Sequence, residues 1–124
     1  MHIGKVAPGR AEVTMEVRAD MLNGHAICHG GFITTLADSA FAFACNSRNQ
    51  LTVAAGLTVD FLQQVERGEL LTAVAAEVSR SGRTGVYDIV VTNRAGERVA
   101  LVRGRSATLT GRTVVPVALN EEAP

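Results

Sequence analysis

The densest group of reactive side chains runs Asn23-Gly24-His25-Ala26-Ile27-Cys28-His29-Gly30-Gly31, with Asp38 a short way beyond it. Two of the three histidines and one of the two cysteines fall in this stretch. Asp38 sits within Leu36-Ala37-Asp38-Ser39-Ala40-Phe41, where the other large residues are apolar. Aspartate is a poor helix-interior residue because its short side chain competes for the backbone. A buried carboxylate is costly unless it is paired or hydrogen-bonded. Asp38 therefore faces solvent, makes a structural hydrogen bond, or serves as a base or nucleophile in an apolar cleft. In such a cleft, desolvation makes a carboxylate a stronger base.

Gly30 and Gly31 stand just before the apolar helical pattern. A helix start offers free backbone N–H groups and a partial positive charge, which suit an oxyanion. The plain alternative is a tight loop-to-helix turn. Gly30 and Asp38 are eight residues apart, which is roughly 12 Å along one helix at the standard rise per residue. An attacking group must lie within a few ångströms of the carbonyl it attacks. If both residues are catalytic, each site takes one from either subunit of a symmetric dimer.

The other polar clusters carry weaker signals. His25-x-x-Cys28-His29 is not a structural zinc spacing and no second ligand cluster follows, so no metal is expected. Cys28 and His29 are adjacent and point apart, which argues against a nucleophile–base pair. The chain lacks a Gly-x-Ser-x-Gly elbow, a phosphate-binding loop and a dinucleotide fingerprint, and no cofactor is expected. The turn Arg80-Ser81-Gly82-Arg83-Thr84-Gly85 could hold a phosphate through its arginines and backbone N–H groups, or be an ordinary hairpin turn. Arg103-Gly104-Arg105 reads as the exposed face of a strand.

The elements that must position these residues follow from periodicity. Ala11 to Val17 alternates as a half-buried strand, and Asp20 to Gly30 is a loop. Phe32 to about Asn46 has helical spacing and is apolar over most of its girth, so other structure should wrap it. Strands are predicted over Thr52 to Leu62, Leu70 to Ser79, Thr84 to Thr92 and Arg98 to Thr110. The short turns at Glu66 to Glu69, Ser81 to Arg83 and Asn93 to Gly96 imply hairpins and an antiparallel sheet. The expected class is α+β: one strand, one long helix, then four strands, with the sheet curled around the helix. Residues 1–110 form a single domain in this reading, and Gly111 to Pro124 is an extended or frayed tail.

Composition narrows the function classes. At 47% hydrophobic and 19% charged residues the chain is a folded globular domain and not a disordered one. Its net charge is zero, without the basic excess of a nucleic-acid binder. Two cysteines make no disulfide framework, and the N-terminus lacks the apolar core of a signal peptide. No apolar run reaches the length of a membrane span, so a cytoplasmic protein without nucleic-acid or membrane partners is expected.

Taken in order, Asn23-Gly24-His25-x-x-x-His29-Gly30-Gly31 and Leu36-Ala37-Asp38 resemble the phenylacetate-pathway (PaaI-type) hotdog thioesterases. The similarity runs on through Val59-Asp60-Phe61-Leu62, Thr84-Gly85-Val86-Tyr87-Asp88-Ile89 and Ala100-Leu101-Val102-Arg103-Gly104-Arg105-Ser106, covering about Ala11 to Thr108. The resemblance implies a hotdog fold, a long antiparallel sheet wrapped around one helix. It also implies homodimers that often pair into homotetramers, with each site spanning the dimer interface. The implied activity is hydrolysis of acyl-CoA thioesters, often of phenylacetyl or hydroxylated aromatic type. The family's catalytic carboxylate matches Asp38, as general base or nucleophile, and its oxyanion amide matches Gly30. Asn23 matches the residue that places water or substrate, and His29 has a supporting role. The CoA phosphates would meet the turn of Arg80, Ser81, Gly82, Arg83 and Thr84. Many relatives carry a helical segment before the first strand, where this chain starts almost at that strand. The resemblance thus carries over the catalytic positions but not the acyl range. Two rival expectations share the fold: an enoyl-CoA hydratase or dehydratase centred on His29, and a non-catalytic acyl-CoA-binding module.

Overall fold

The computed structural model describes residues 1–116. Six antiparallel strands form one sheet in the order β1-β2-β4-β5-β6-β3. They are β1 (His2–Ala7), β2 (Arg10–Glu16), β3 (Thr52–Phe61), β4 (Leu70–Ser81), β5 (Thr84–Thr92) and β6 (Arg98–Thr108). A single 16-residue helix, α1 (Gly30–Cys45), lies across the concave face. The expected α+β class holds, with the sheet curled over one side of the helix.

Inward residues of the strands alternate as the pleat requires: Val13 and Met15 on β2, Leu71, Ala73 and Ala75 on β4, and Tyr87, Ile89 and Val91 on β5. They close on Leu36, Ala37, Ala40, Phe41 and Ala44 of α1. Alanines at these helix positions let the axis come close to the sheet. Phe41 and Leu36 supply the bulk, each stabilising the fold by about 1.5–3 kcal/mol through burial. The Phe41 and Tyr87 rings meet at 5.4 Å in a tilted arrangement. Among the described residues, no buried side-chain nitrogen or oxygen lacks a partner.

Four sequence expectations are corrected. The N-terminal residues form a further strand, β1, joined to β2 by the Pro8-Gly9 turn. Its residues are all exposed, so it carries no burial pattern to read. The Gly9 N–H donates to Ser47 Oγ at 2.8 Å, which fixes this hairpin to the end of the helix. The helix begins at Gly30, ahead of the expected Phe32, because His29 caps it: Nδ1 accepts the Gly31 N–H at 3.0 Å. The glycines thus form its first turn and do not precede it.

The Glu66 to Glu69 turn does not close a hairpin. β3 pairs with β6, and β4 pairs with β2 and β5. Segment 62–69 passes the start of the helix on its way from the edge strand β3 to the interior strand β4. Its Val65 is buried and takes the Cys28 N–H at 2.6 Å. The start of the expected tail is held in place, since the Val115 N–H donates to Asn49 Oδ1 at 2.9 Å. Residues 117–124 of that tail lie outside the described residues.

At the far end of α1, the Asn46 carboxamide makes two bonds to Thr52. Its Nδ2 donates to the Thr52 carbonyl at 2.9 Å and its Oδ1 accepts the Thr52 N–H at 2.8 Å. These bonds fix where β3 starts relative to the helix.

Candidate active site

The loop before α1 is built by its own backbone. Asn23 Oδ1 accepts the N–H groups of His25 at 2.8 Å and Ile27 at 3.4 Å, while its own N–H donates to the Ile27 carbonyl at 2.8 Å. Ala26 takes a left-handed φ of 61° within this turn. Because backbone donors claim Oδ1, the carboxamide is oriented and its Nδ2 is the end left for another partner. The His29 N–H donates to the Met21 carbonyl at 2.7 Å and so docks the loop on the short 3₁₀ turn Ala19–Met21.

At the helix start, the Gly31 N–H goes to His29 Nδ1 and the Phe32 N–H to the His29 carbonyl. The Gly30 N–H has no hydrogen-bond partner among the described residues. Gly30 lines a cavity of ≈ 430 Å³ whose walls also include Asn23, Ile27, Ile33, Phe61 and Leu62. Its N–H is an unpaired donor at the positive end of a helix dipole, in a cavity shared with an oriented carboxamide.

Asp38 does not line that cavity. It lies on the free face of α1 with Gly31, Phe32, Thr35, Ala42 and Phe43, all exposed in the single chain. The helix is therefore wrapped on one side only. Gly30 and Asp38 are both within α1, so the separation of roughly 12 Å along the axis holds.

The remaining candidates separate by role. His29 Nδ1 is occupied as a cap acceptor, which leaves Nε2 as its only free ring nitrogen. Cys28 is buried, and burial raises its thiol pKa, the reverse of what a nucleophile needs. Among the described residues no three His, Cys, Asp or Glu side chains gather to hold a metal.

A second cavity of ≈ 310 Å³ opens at the β4–β5 turn, lined by Ser79, Ser81, Thr84, Gly85 and Arg105 among others. Of the turn residues named from sequence, Ser81 and Thr84 reach it, and Arg80, Gly82 and Arg83 do not line it. Arg83 Nη1 instead donates to Thr110 Oγ1 at 2.8 Å. Arg105, which the sequence alone presents as part of an ordinary strand face, lines this cavity. Its guanidinium lies over Gly56, where a Cβ would fall 2.7 Å from Nη2. No local pattern marks Arg105, because Gly56 and the β4–β5 turn reach it only through strand pairing.

Residues 25–100 match the family model of the thioesterase superfamily. The chain belongs to that superfamily. It is 50% identical over 103 residues to the acyl-coenzyme A thioesterase PaaI of Escherichia coli K12, covering 83% of this chain and 74% of the relative. The solved structure of the E. coli PaaI protein from the phenylacetic acid degradation operon superposes with a TM-score of 0.89 at 46% identity, over 92% of this chain and 82% of that one. A Streptococcus mutans protein, solved bound to acetyl CoA, superposes with a TM-score of 0.85 at 26% identity, over 90% of each chain. The fold is the hotdog fold, as the sequence resemblance implied. Membership makes this chain a thioesterase, and thioester hydrolysis the chemistry its site has to serve.

Proposed function

We propose that this chain hydrolyses acyl-CoA thioesters of the phenylacetyl or hydroxyphenylacetyl type to the free acid and CoA. The observation that carries the reading is the Gly30 N–H, free of any partner among the described residues at the start of α1, in a residue that lines one cavity with Asn23. In this mechanism the thioester carbonyl binds that N–H, which takes up charge as the carbonyl oxygen becomes an oxyanion. Asn23 Nδ2 orients water or substrate. Asp38 of a second subunit takes a proton from the attacking water, or attacks the carbonyl itself to form an anhydride that water then hydrolyses; on either route CoA leaves as thiolate. His29 acts by capping the helix and holding the Gly30 amide in place.

The two-subunit site needs a homodimer, and the exposed surface favours one. β3 is an edge strand of 10 residues, open on both faces along most of its length. Val53, Leu57 and Phe61 on it, with Phe32 and Phe43 on α1, are large apolar side chains left exposed. A long apolar edge strand of this kind is normally covered, and a second copy covers it symmetrically. Two such dimers pair into a homotetramer. The pantetheine arm and CoA phosphates run to the cavity at the β4–β5 turn, where Arg105 joins Ser81 and Thr84 as a cationic partner. Both cysteines are free, in keeping with a reducing, cytoplasmic compartment.

The test is release of free thiol from phenylacetyl-, hydroxyphenylacetyl-, benzoyl- and medium-chain-CoA by wild type and Asp38→Asn. Wild type is expected to turn over the aryl-acetyl thioesters. Asp38→Asn is expected to lose about 100- to 10,000-fold in rate, the usual worth of a positioned acid–base group. Its melting temperature should hold, because Asp38 is exposed in the chain. Full activity in the variant removes Asp38 from the mechanism, and no thiol release from any substrate removes the hydrolase reading. Single turnover in oxygen-18 water separates the two chemistries: label entering Asp38 marks the nucleophilic route.

A further inference from the structure

The cavity at the head of α1 has one wall that the proposed catalytic residues do not explain. Phe61 is the last residue of β3, paired with Ala100 of β6. Its ring lies against Gly30 so closely that a Cβ built there would fall 2.8 Å from Cζ and 3.2 and 3.3 Å from Cε2 and Cε1. The ring occupies the space any other residue would fill with its own side chain. It is nevertheless 52% exposed and belongs to no buried cluster. An aromatic side chain in that position does not serve to fill the core. The ring borders the same cavity as Gly30, together with the apolar side chains of Ile27, Ile33 and Leu62. At ≈ 430 Å³ the space is of the size that small ligands use.

We propose that Phe61 is the specificity-determining residue for the acyl group: its ring forms one wall of the acyl site and selects flat aromatic acyl groups over straight chains. The inference rests on the thioesterase reading above, since it places the carbonyl at Gly30. A carbonyl held there puts the acyl substituent within a few ångströms of the Phe61 ring. An aromatic substituent can then pair with the ring offset or edge-to-face, with centroids about 4.5–7 Å apart, and gain beyond the area it buries. A straight chain gains the area alone. Gly30 thus has two duties in one residue, presenting an unpaired N–H and leaving room for the ring.

The experiment compares wild type, Phe61→Leu and Phe61→Tyr. Calorimetry measures Kd for non-hydrolysable ketone analogues of phenylacetyl-CoA and hexanoyl-CoA, in which a methylene separates sulfur from carbonyl. Thiol release gives kcat/KM for the two parent thioesters. Phe61→Leu should lower the aryl-over-alkyl preference by about 2- to 10-fold in both measurements, the worth of one aromatic pair. Phe61→Tyr keeps the ring and should keep the wild-type ratio. An unchanged ratio in Phe61→Leu, or an equal loss for both acyl groups, overturns the assignment. Should Phe61→Leu fail to fold, Phe61→Met carries the same comparison. A Phe61-dependent analogue preference without thiol release from wild type would sink the hydrolase reading and leave the acyl wall standing. Thiol release with a preference indifferent to Phe61 does the reverse.

Discussion

Gly104 on β6 faces the Phe41 ring of α1 with no room for a side chain: a Cβ there would lie 2.7 Å from Cε2 and 2.9 Å from both Cδ2 and Cζ. Phe41 is 1% exposed and has Tyr87 on its flank, so it cannot retreat. This contact sets how closely the helix approaches β6. Gly104→Ala should therefore destabilise the fold by about 1–3 kcal/mol through overpacking. A urea titration followed by circular dichroism would read this as a lower midpoint with unchanged slope. An unchanged midpoint would mean the helix can shift on the sheet.

The same substitution at Gly30 should act differently. Its clash is with the tip of Phe61, a half-exposed ring that can swing away. Gly30→Ala is expected to change stability by less than about 1 kcal/mol, since alanine also favours the helix. Thiol release should fall about 100-fold, because the displaced ring and new methyl crowd the carbonyl position. Comparable losses of stability and activity would instead assign Gly30 a packing role.

Alkaline pH should weaken the fold through two buried acids. Burial pushes the Tyr87 hydroxyl from 10.0 up to about 12, helped by the neighbouring Glu77 carboxylate. Burial likewise pushes the Cys45 thiol from 9.0 up to about 11. A group whose folded pKa is raised gives stability that is fully present below its unfolded value and is lost as pH climbs to the folded one. Stability should therefore decline from about pH 9 to 12, with Cys45 acting over the lower part and Tyr87 over the upper. Thermal melts across that range should show Cys45→Ala flattening the decline between pH 9 and 11, and Tyr87→Phe flattening it between 10 and 12. An unaltered slope in both variants would contradict the assignment.

The two-subunit site makes association a condition of turnover. Leu57 is 37% exposed on β3 and Phe43 is 39% exposed on α1. Leu57→Glu with Phe43→Glu should convert dimers to monomers in sedimentation velocity, with little change in the melting of each chain's own core. Thiol release should disappear together with the dimer. A monomer that retains full turnover would place the whole reaction within one chain and refute the shared site.

Much of the molecule is legible in the sequence because its signals are local. Alternation over Thr84 to Thr92 gives β5 with its observed ends, and the helical spacing from Phe32 onward gives the body of α1. These patterns record which way each side chain points within its own element, and nothing more is needed to read them. The cluster from Asn23 to Gly31 is also legible, since loop, cap and helix start are built from neighbours in sequence. Membership of the family could be read from the same residues.

The rest was decided by contacts between distant parts of the chain. β1 is exposed on every residue and so leaves no burial pattern to find. β3 follows the helix and precedes β4, yet it pairs with β6, because segment 62–69 passes the helix start and is tied there by Val65. That path brings Phe61 onto Gly30 and sets Leu62 with Ile27 in one cavity. Strand pairing likewise carries Arg105 to Gly56 and the β4–β5 turn. Asp38 is the sharpest case. Its place in an apolar helix is written in the sequence, but its exposure depends on which side of α1 the curled sheet leaves open. Periodicity fixes the angle of a side chain about its own axis, and only the packed sheet determines what stands at that angle.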